Sequence, residues 1–132
     1  MDVALCTLDP ETLELEFSGA HNPIYLVRDG EFSQIESDPY SIGSFSFGEK
    51  EYTNHTVQLR KGDCLYLFSD GYADQFGGES GKKLMTKNFK ELLLKIQNDP
   101  MKKQKEFLSD SIEEWKGARE QVDDVLVIGI RI

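Results

Sequence analysis

Short apolar runs separated by breaker residues fill the first two thirds of the chain, a pattern typical of antiparallel β proteins. Residues 13–17 alternate apolar and polar side chains, and this period of two indicates a half-buried strand. The pair Asp29 and Gly30 predicts a tight hairpin turn. Residues 64–68 are continuously apolar, which indicates a central strand covered on both faces. We predict strands over 3–8, 13–17, 24–28, 32–35, 52–59, 64–68 and 125–130, with connections over 18–23 and 38–48.

Beyond residue 81 the apolar spacing changes to that of amphipathic helices. The first apolar stripe has the spacing i, i+3, i+4, i+7 and consists of Phe89, Leu92, Leu93 and Ile96. The second stripe consists of Met101, Leu108, Ile112 and Trp115. We expect Asp99 to cap the second helix, Pro100 to be its first residue and Gly117 to end it. Strands followed by a helix pair predict an α+β fold, with helices packed on an antiparallel sheet or sandwich.

Length and charge narrow the class of protein. The 132 residues fit a single domain, 1–132, with one hydrophobic core. The formal net charge of -9 argues against non-specific nucleic-acid binding and against docking on an anionic membrane surface. Cys6 and Cys64 lie in strand-like runs without zinc-ligand spacing, so we expect buried, reduced thiols and a cytoplasmic location. No apolar run approaches the ~20 residues of a membrane span.

Two carboxylate positions border the apolar strands. Asp70 and Gly71 follow the strand predicted at 64–68, and Asp123 and Asp124 precede the strand predicted at 125–130. If these two strands pair antiparallel, both positions meet at one edge of the sheet. Adjacent carboxylates repel unless a cation or a shared proton relieves them, and Mg²⁺ or Mn²⁺ does so with oxygen ligands. Alternatively, Asp70 is a turn residue and Asp123 a strand-flanking charge.

No nucleophilic triad stands out in the sequence. His21 lies before Asn-Pro, a context that predicts a turn, and His55 lies in a predicted strand. The glycines of segment 77–81 are more typical of an ordinary loop than of a phosphate-binding loop, which would stand between a strand and a helix.

Four motifs stand in a characteristic order: SGAHNP at 18–23, GD at 62–63, SDGYADQFGG at 69–78 and QVDDV at 121–125. Together they resemble the SpoIIE-type branch of the PPM metal-dependent protein phosphatases, which includes RsbU-like bacterial stress regulators. The resemblance covers nearly the whole chain. Its specificity rests on the ordered set, because no single motif is decisive.

The resemblance implies an α+β fold in which two antiparallel sheets form a β-sandwich flanked by helices, in αββα layers. It implies that Asp70 and Asp123 ligate metal, with Asp124 beside them and Gly71 forming the turn. The cofactor would be Mg²⁺ or Mn²⁺, in a two-metal centre that activates water for direct attack on phosphorus. The substrate would be a phosphoserine or phosphothreonine regulatory protein, such as an anti-sigma-factor antagonist. An upstream sensor domain is the other expected partner, in bacterial signal transduction.

Two departures from the family pattern qualify the expected activity. The family's first metal-binding aspartate, in an Asp-x-x-Gly-His-Gly type segment, has no counterpart in these residues. We therefore expect an N-terminally truncated, C-terminal part of the domain that is inactive alone and self-associates through an exposed sheet edge or face. The threonine usual shortly after the final aspartate pair is Leu126 here.

Two other functions remain as alternatives. One is a phosphatase-like scaffold that binds a signalling partner without catalysis, to which Leu126 gives slight support. The other is an unrelated β-rich binding module in which both aspartate sites are ordinary turns.

Overall fold

A computed structural model describes residues 1–43 and 51–132. The strands are β1 (Val3–Leu8), β2 (Glu14–Ala20), β3 (Ile24–Arg28), β4 (Glu31–Ile35), β5 (His55–Gln58), β6 (Cys64–Phe68), β7 (Phe76–Gly77), β8 (Lys82–Lys83) and β9 (Val127–Arg131). The helices are α1 (Gly71–Asp74), α2 (Thr86–Ile96) and α3 (Met101–Lys116). None of the described helices is long and apolar enough to cross a membrane.

Two antiparallel sheets form a sandwich. The first has the order β1-β2-β5 and the second the order β4-β3-β6-β9, while β7 and β8 form a separate hairpin. Alternate residues of β2, Leu15 and Phe17, point between the sheets and pack against Ile24, Leu26 and Leu65 of the second sheet. The period-two pattern of the sequence therefore becomes the inner face of the sandwich.

The helices cover the opposite face of the second sheet. Phe89 and Leu93 of α2 are fully buried there, beside Tyr66 of β6 and Tyr72 of α1. Both tyrosine hydroxyls donate hydrogen bonds, Tyr66 to Oε1 of Gln104 and Tyr72 to the Leu108 carbonyl, each at 2.8 Å. These bonds offset the cost of burying the hydroxyl groups. The described layers are thus sheet, sheet and helices, which confirms the predicted α+β sandwich class.

Several predicted boundaries were wrong, and β2 shows why. Residues 18–20 were predicted as part of a connection, yet they continue β2 and pair with residues 3–5 of β1. Small residues such as these are typical of a loop, but close packing requires the glycine at position 19. A Cβ at Gly19 would lie 2.6 Å from the Phe17 ring and 2.7 Å from the Asn22 carbonyl oxygen.

Other ends also differ from the prediction. Strand β5 is shorter than the predicted 52–59. Strand β9 begins at Val127, so residues 125 and 126 precede it, although they were predicted to belong to the strand. Pro100 is the N-cap of α3 and no side chain caps that helix, so the predicted capping role of Asp99 was wrong. Instead, Nε2 of Gln104 donates to the Asp99 carbonyl at 3.0 Å. Gly117 does end α3, as predicted.

The predictions about the cysteines, the 38–48 loop and the sheet edge are confirmed only in part or stay untested. Both cysteines are free thiols, but only Cys64 is buried, because Cys6 lies in edge strand β1 and is partly exposed. Residues 44–48 of the loop predicted at 38–48 lie outside the described residues. Strand β9 is an edge strand of the second sheet, and its residues Ile128 and Ile130 are 45% and 36% exposed. Self-association through such an edge stays a prediction.

A partly buried ion pair lies at one end of the sandwich, where Arg28 also contacts the first sheet. Arg28, at the end of β3, donates from Nε and Nη2 to the Asp63 carboxylate at 2.9 and 2.6 Å. The same Nη2 donates to the Gln58 carbonyl of β5 at 3.0 Å. Burial alone would raise the pKa of Asp63, but hydrogen bonds from Arg28 and the Arg60 amide outweigh it and lower that pKa.

We expect Asp63→Asn to destabilise the fold by about 3 kcal/mol at neutral pH, because Arg28 would lose its buried counter-charge. A carboxylate with a lowered folded-state pKa stabilises the fold above its unfolded pKa, and this stability is lost as pH falls through the folded pKa. The wild-type unfolding free energy should therefore fall more steeply in acid than that of the variant. Urea unfolding at pH 7 and across the acid range measures both effects, with Asp110→Asn on α3 as the exposed control. Parallel pH curves for wild type and Asp63→Asn would contradict this.

Candidate active site

Asp70 lies at the junction between a buried strand and a short helix. It follows β6 directly and occupies the N-cap position of α1, but its carboxylate makes no capping hydrogen bond. The backbone carbonyl of Asp70 instead accepts the amide hydrogen bond of Asp74 at 2.9 Å. The exposed Asp70 carboxylate therefore does not cap α1.

The register of β6 with β9 brings the second acidic segment beside Asp70. Phe68 pairs with Val127, so residues 123–126 run past residues 69–71. The Ser69 hydroxyl donates to the Asp124 carbonyl at 2.6 Å and accepts from the Leu126 amide at 2.9 Å. The two acidic segments thus meet, as antiparallel pairing predicts, whereas metal binding by Asp70, Asp123 and Asp124 stays a prediction.

Gly71 permits this close approach. A Cβ at this position would lie 2.3 Å from the carbonyl oxygen of Asp124, closer than real Cβ atoms approach backbone. The glycine is therefore needed for the contact between the two segments.

The three carboxylates lie at the surface and none pairs with a Lys or Arg side chain among the described residues. One oxygen of Asp123 accepts the amide of Asp124 at 2.7 Å, which orients that carboxylate. Mg²⁺ is commonly held by one or two carboxylates plus waters, so this donor set fits a hard divalent cation. Within residues 1–43 and 51–132, however, no group of three or more His, Cys, Asp or Glu residues could hold a metal ion.

A cleft of about 590 Å³ opens beside Asp70. It is lined by the 21–23 turn, by Gln34 of β4 and by Lys90 of α2, among others. No sequence pattern indicates Gln34 or Lys90, because only folding brings β4 and α2 together. A larger groove of about 700 Å³ lies between α3 and β9, but none of the predicted site residues lines it.

The two histidines lie in different surroundings, and the glycine-rich segment packs against a helix. His21 adopts a left-handed turn conformation with φ of 60° and lines the cleft, whereas His55 stacks on Phe17. The glycines at 77 and 78 pack against α3: a Cβ at Gly77 would lie 2.0 Å from the Trp115 carbonyl oxygen. In addition, the Gly78 amide donates to that carbonyl at 2.9 Å.

A comparison with protein-family models matches the whole chain to one family. The model described as Stage II sporulation protein E (SpoIIE) matches residues 1–132. The chain belongs to the SpoIIE family. The family predicted from the four ordered motifs is thereby confirmed. Among curated proteins no significant match was found.

Solved structures of the SpoIIE family and its relatives share the fold. The SiaA-PP2C domain of Pseudomonas aeruginosa is 30% identical, with a TM-score of 0.88, over 99% of this chain and 51% of that chain. The SpoIIE phosphatase domain of Bacillus subtilis is 17% identical, with a TM-score of 0.68, over 99% of this chain and 58% of that chain. The RsbU and RsbW domains of a Mycobacterium tuberculosis protein are 21% identical, with a TM-score of 0.70, over 98% and 35%. The chain thus spans about half the length of the SiaA-PP2C structure.

We expect Gly71→Ala to destabilise the fold by about 2 kcal/mol, because the new methyl group would push the Asp124 carbonyl away from α1. Gly129→Ala in β9 is the matched control, since its Cβ would lie 2.6 Å from the flexible end of the Met101 side chain and 3.4 Å from the Tyr66 ring, an ordinary van der Waals distance. Its effect should stay within about 1 kcal/mol. Denaturant unfolding measures both changes. Equal destabilisation by the two variants would show that the contact at Gly71 is not specific.

We also expect Mn²⁺ to broaden the amide signals of the ¹⁵N-labelled chain selectively around Asp70 and Asp123, because the two carboxylates attract a divalent cation. Asp70→Asn should remove most of this broadening, whereas the exposed Asp110→Asn control should retain it. Broadening spread evenly over all surface carboxylates, or absent near Asp70, would contradict a cation site at this junction.

Proposed function

We propose that the domain containing this chain hydrolyses phosphoserine or phosphothreonine in a regulatory protein, with Mg²⁺ or Mn²⁺ as cofactor. The observation that supports this most directly is the Ser69 contact, which joins the Asp70 turn to the Asp124 backbone at 2.6 Å. It places two acidic segments together in a chain of the SpoIIE family, whose Bacillus subtilis structures are described as phosphatase domains. One of these is described as presoaked with Mn.

Asp70 and Asp123 would hold the cation, with Asp124 beside them. A bound divalent cation supplies charge stabilisation for the phosphoryl oxygens and lowers the pKa of water. The chain itself fixes the positions of the ligands. Ser69 holds residues 124–126 against the end of β6 through its hydroxyl group and its amide. The Asp124 amide holds one Asp123 oxygen at 2.7 Å, so that the other oxygen remains available to a cation.

The proposed activity belongs to a whole domain, of which this chain spans about half when measured against SiaA-PP2C. We assign the remaining metal ligand to residues outside these 132. The substrate would be a phosphorylated anti-sigma-factor antagonist or a similar protein, and an upstream sensor domain would regulate the enzyme. These partners follow from the family resemblance.

In the protein that carries this domain, we expect Asp70→Asn and Asp123→Asn each to lower kcat/KM by about 10³-fold. Loss of a cation ligand removes several kcal/mol of transition-state stabilisation. The assay is Mn²⁺-dependent release of phosphate from p-nitrophenyl phosphate and from a phosphoserine protein, and Asp110→Asn is the control. Metal-dependent turnover that survives both substitutions would exclude this site.

A non-catalytic scaffold is the second candidate, because Leu126 replaces the usual threonine. However, residue 126 contacts Ser69 through its backbone amide and carbonyl, and its side chain is 54% exposed. The replacement therefore leaves the contact between the acidic segments intact, and we favour the enzyme.

A further inference from the structure

Lys90 of α2 is held in a fixed position beside the candidate active site. Its ammonium lies 4.9 Å from the ring centroid of Tyr25 and 5.0 Å from that of Phe32. It also donates a hydrogen bond of 2.9 Å to Oε1 of Gln34. Aromatic faces attract cations, so the two rings and the amide together restrict where the ammonium can lie.

No carboxylate neutralises Lys90 within the described part of the chain. This distinguishes it from nearby lysines, since Lys83 pairs with Asp74 at 2.8 Å and Lys87 approaches Glu91 at 4.0 Å. The Gln34 amide lies between Lys90 and Glu36, because its Nε2 donates to Glu36 at 2.9 Å. Lys90 thus has no direct counter-ion among the described residues, although the chain has a net charge of -9.

The cleft that contains Lys90 also contains Asp70, and Lys90 is the one Lys or Arg among its described lining residues. Its volume of about 590 Å³ lies within the usual range for ligand sites. Tyr25 contributes a neutral hydroxyl group, because burial, with the charge of Glu36, raises its pKa to about 12. The cleft therefore combines carboxylate, which suits a cation, with a positioned ammonium, which suits an anion.

We propose that Lys90, positioned by Gln34, Tyr25 and Phe32, binds an anionic group of the phosphorylated polypeptide substrate. That group is either the phosphoryl group or a carboxylate beside it in the peptide. Contacts with the two rings and the Gln34 amide restrict the ammonium before an anion binds, so less conformational entropy is lost on binding. The identity of the ligand as a phosphopeptide rests on the proposed phosphatase function, whereas the anion site rests on the cleft itself.

The test is an NMR titration of the ¹⁵N-labelled chain without added metal, so that neither a cation site nor turnover enters the readout. The probes are a phosphoserine peptide flanked by alanine, the same peptide flanked by glutamate, and the unphosphorylated glutamate peptide. We expect amide shifts at Gln34 and Lys90, and at least about tenfold weaker binding to Lys90→Gln. Lys90→Arg should bind within about threefold of wild type because it keeps the charge.

Lys87→Gln is the matched control, since it removes a charge from the same helix outside the cleft and should bind like wild type. Tenfold weakening for both phosphopeptides assigns the contact to the phosphoryl group. Weakening for the glutamate-flanked peptides alone assigns it to a neighbouring carboxylate. Equal affinity of wild type and Lys90→Gln for every peptide, or the absence of shifts in the cleft, would overturn the inference. Failure of the phosphatase assay would leave this binding difference intact.

Discussion

The antiparallel pairing of β6 with β9 is the constraint on which the candidate site depends. Residues far apart in the sequence, Asp70 and Asp123, come to one sheet edge only because Phe68 pairs with Val127. Beyond the last strand pair, Ser69 continues the contact with both its amide and its hydroxyl group. A slip of one residue in this register would move every side chain of β9 to the opposite face. It would also shift the two acidic segments relative to each other, so the register of this strand pair determines how the candidate site is assembled.

The helix layer fixes the other side of the cleft. The buried face of α2 is anchored by Phe89, which packs on Tyr72 of α1 with ring centroids 4.6 Å apart. The next residue along α2 is Lys90, which consequently turns toward Tyr25 and Gln34 of the second sheet. One packing arrangement thus supports both α1, which follows Asp70, and the ammonium group in the cleft. Rigid elements, rather than mobile loops, carry these two groups, which favours a preorganised site.

Local patterns were sufficient to predict much of this fold, but not its long-range contacts. The strand Cys64–Phe68 and the buried stripe of α2 were predictable because continuous and periodic apolar runs have few alternative structures. Asp70 and Asp123 stood out because each flanks such a run. By contrast, the Lys90–Gln34 and Arg28–Asp63 contacts join residues 35 or more positions apart in the sequence, and no local pattern predicts them. The end of β2 was missed because Gly19 resembles a loop residue, although its packing requires glycine.

The charged groups of the candidate site do not pair with one another within the described residues. Three exposed carboxylates, Asp70, Asp123 and Asp124, lie on adjoining segments in a chain that already carries a net charge of -9. A divalent cation bound there would offset part of this negative charge. Lys90 pairs with none of these carboxylates, because its ammonium instead contacts the rings of Tyr25 and Phe32 and the Gln34 amide. A salt bridge between Lys90 and Asp70 would neutralise both charges, and the cleft would then attract neither a cation nor an anion. Their separation therefore preserves two complementary binding groups in one cleft.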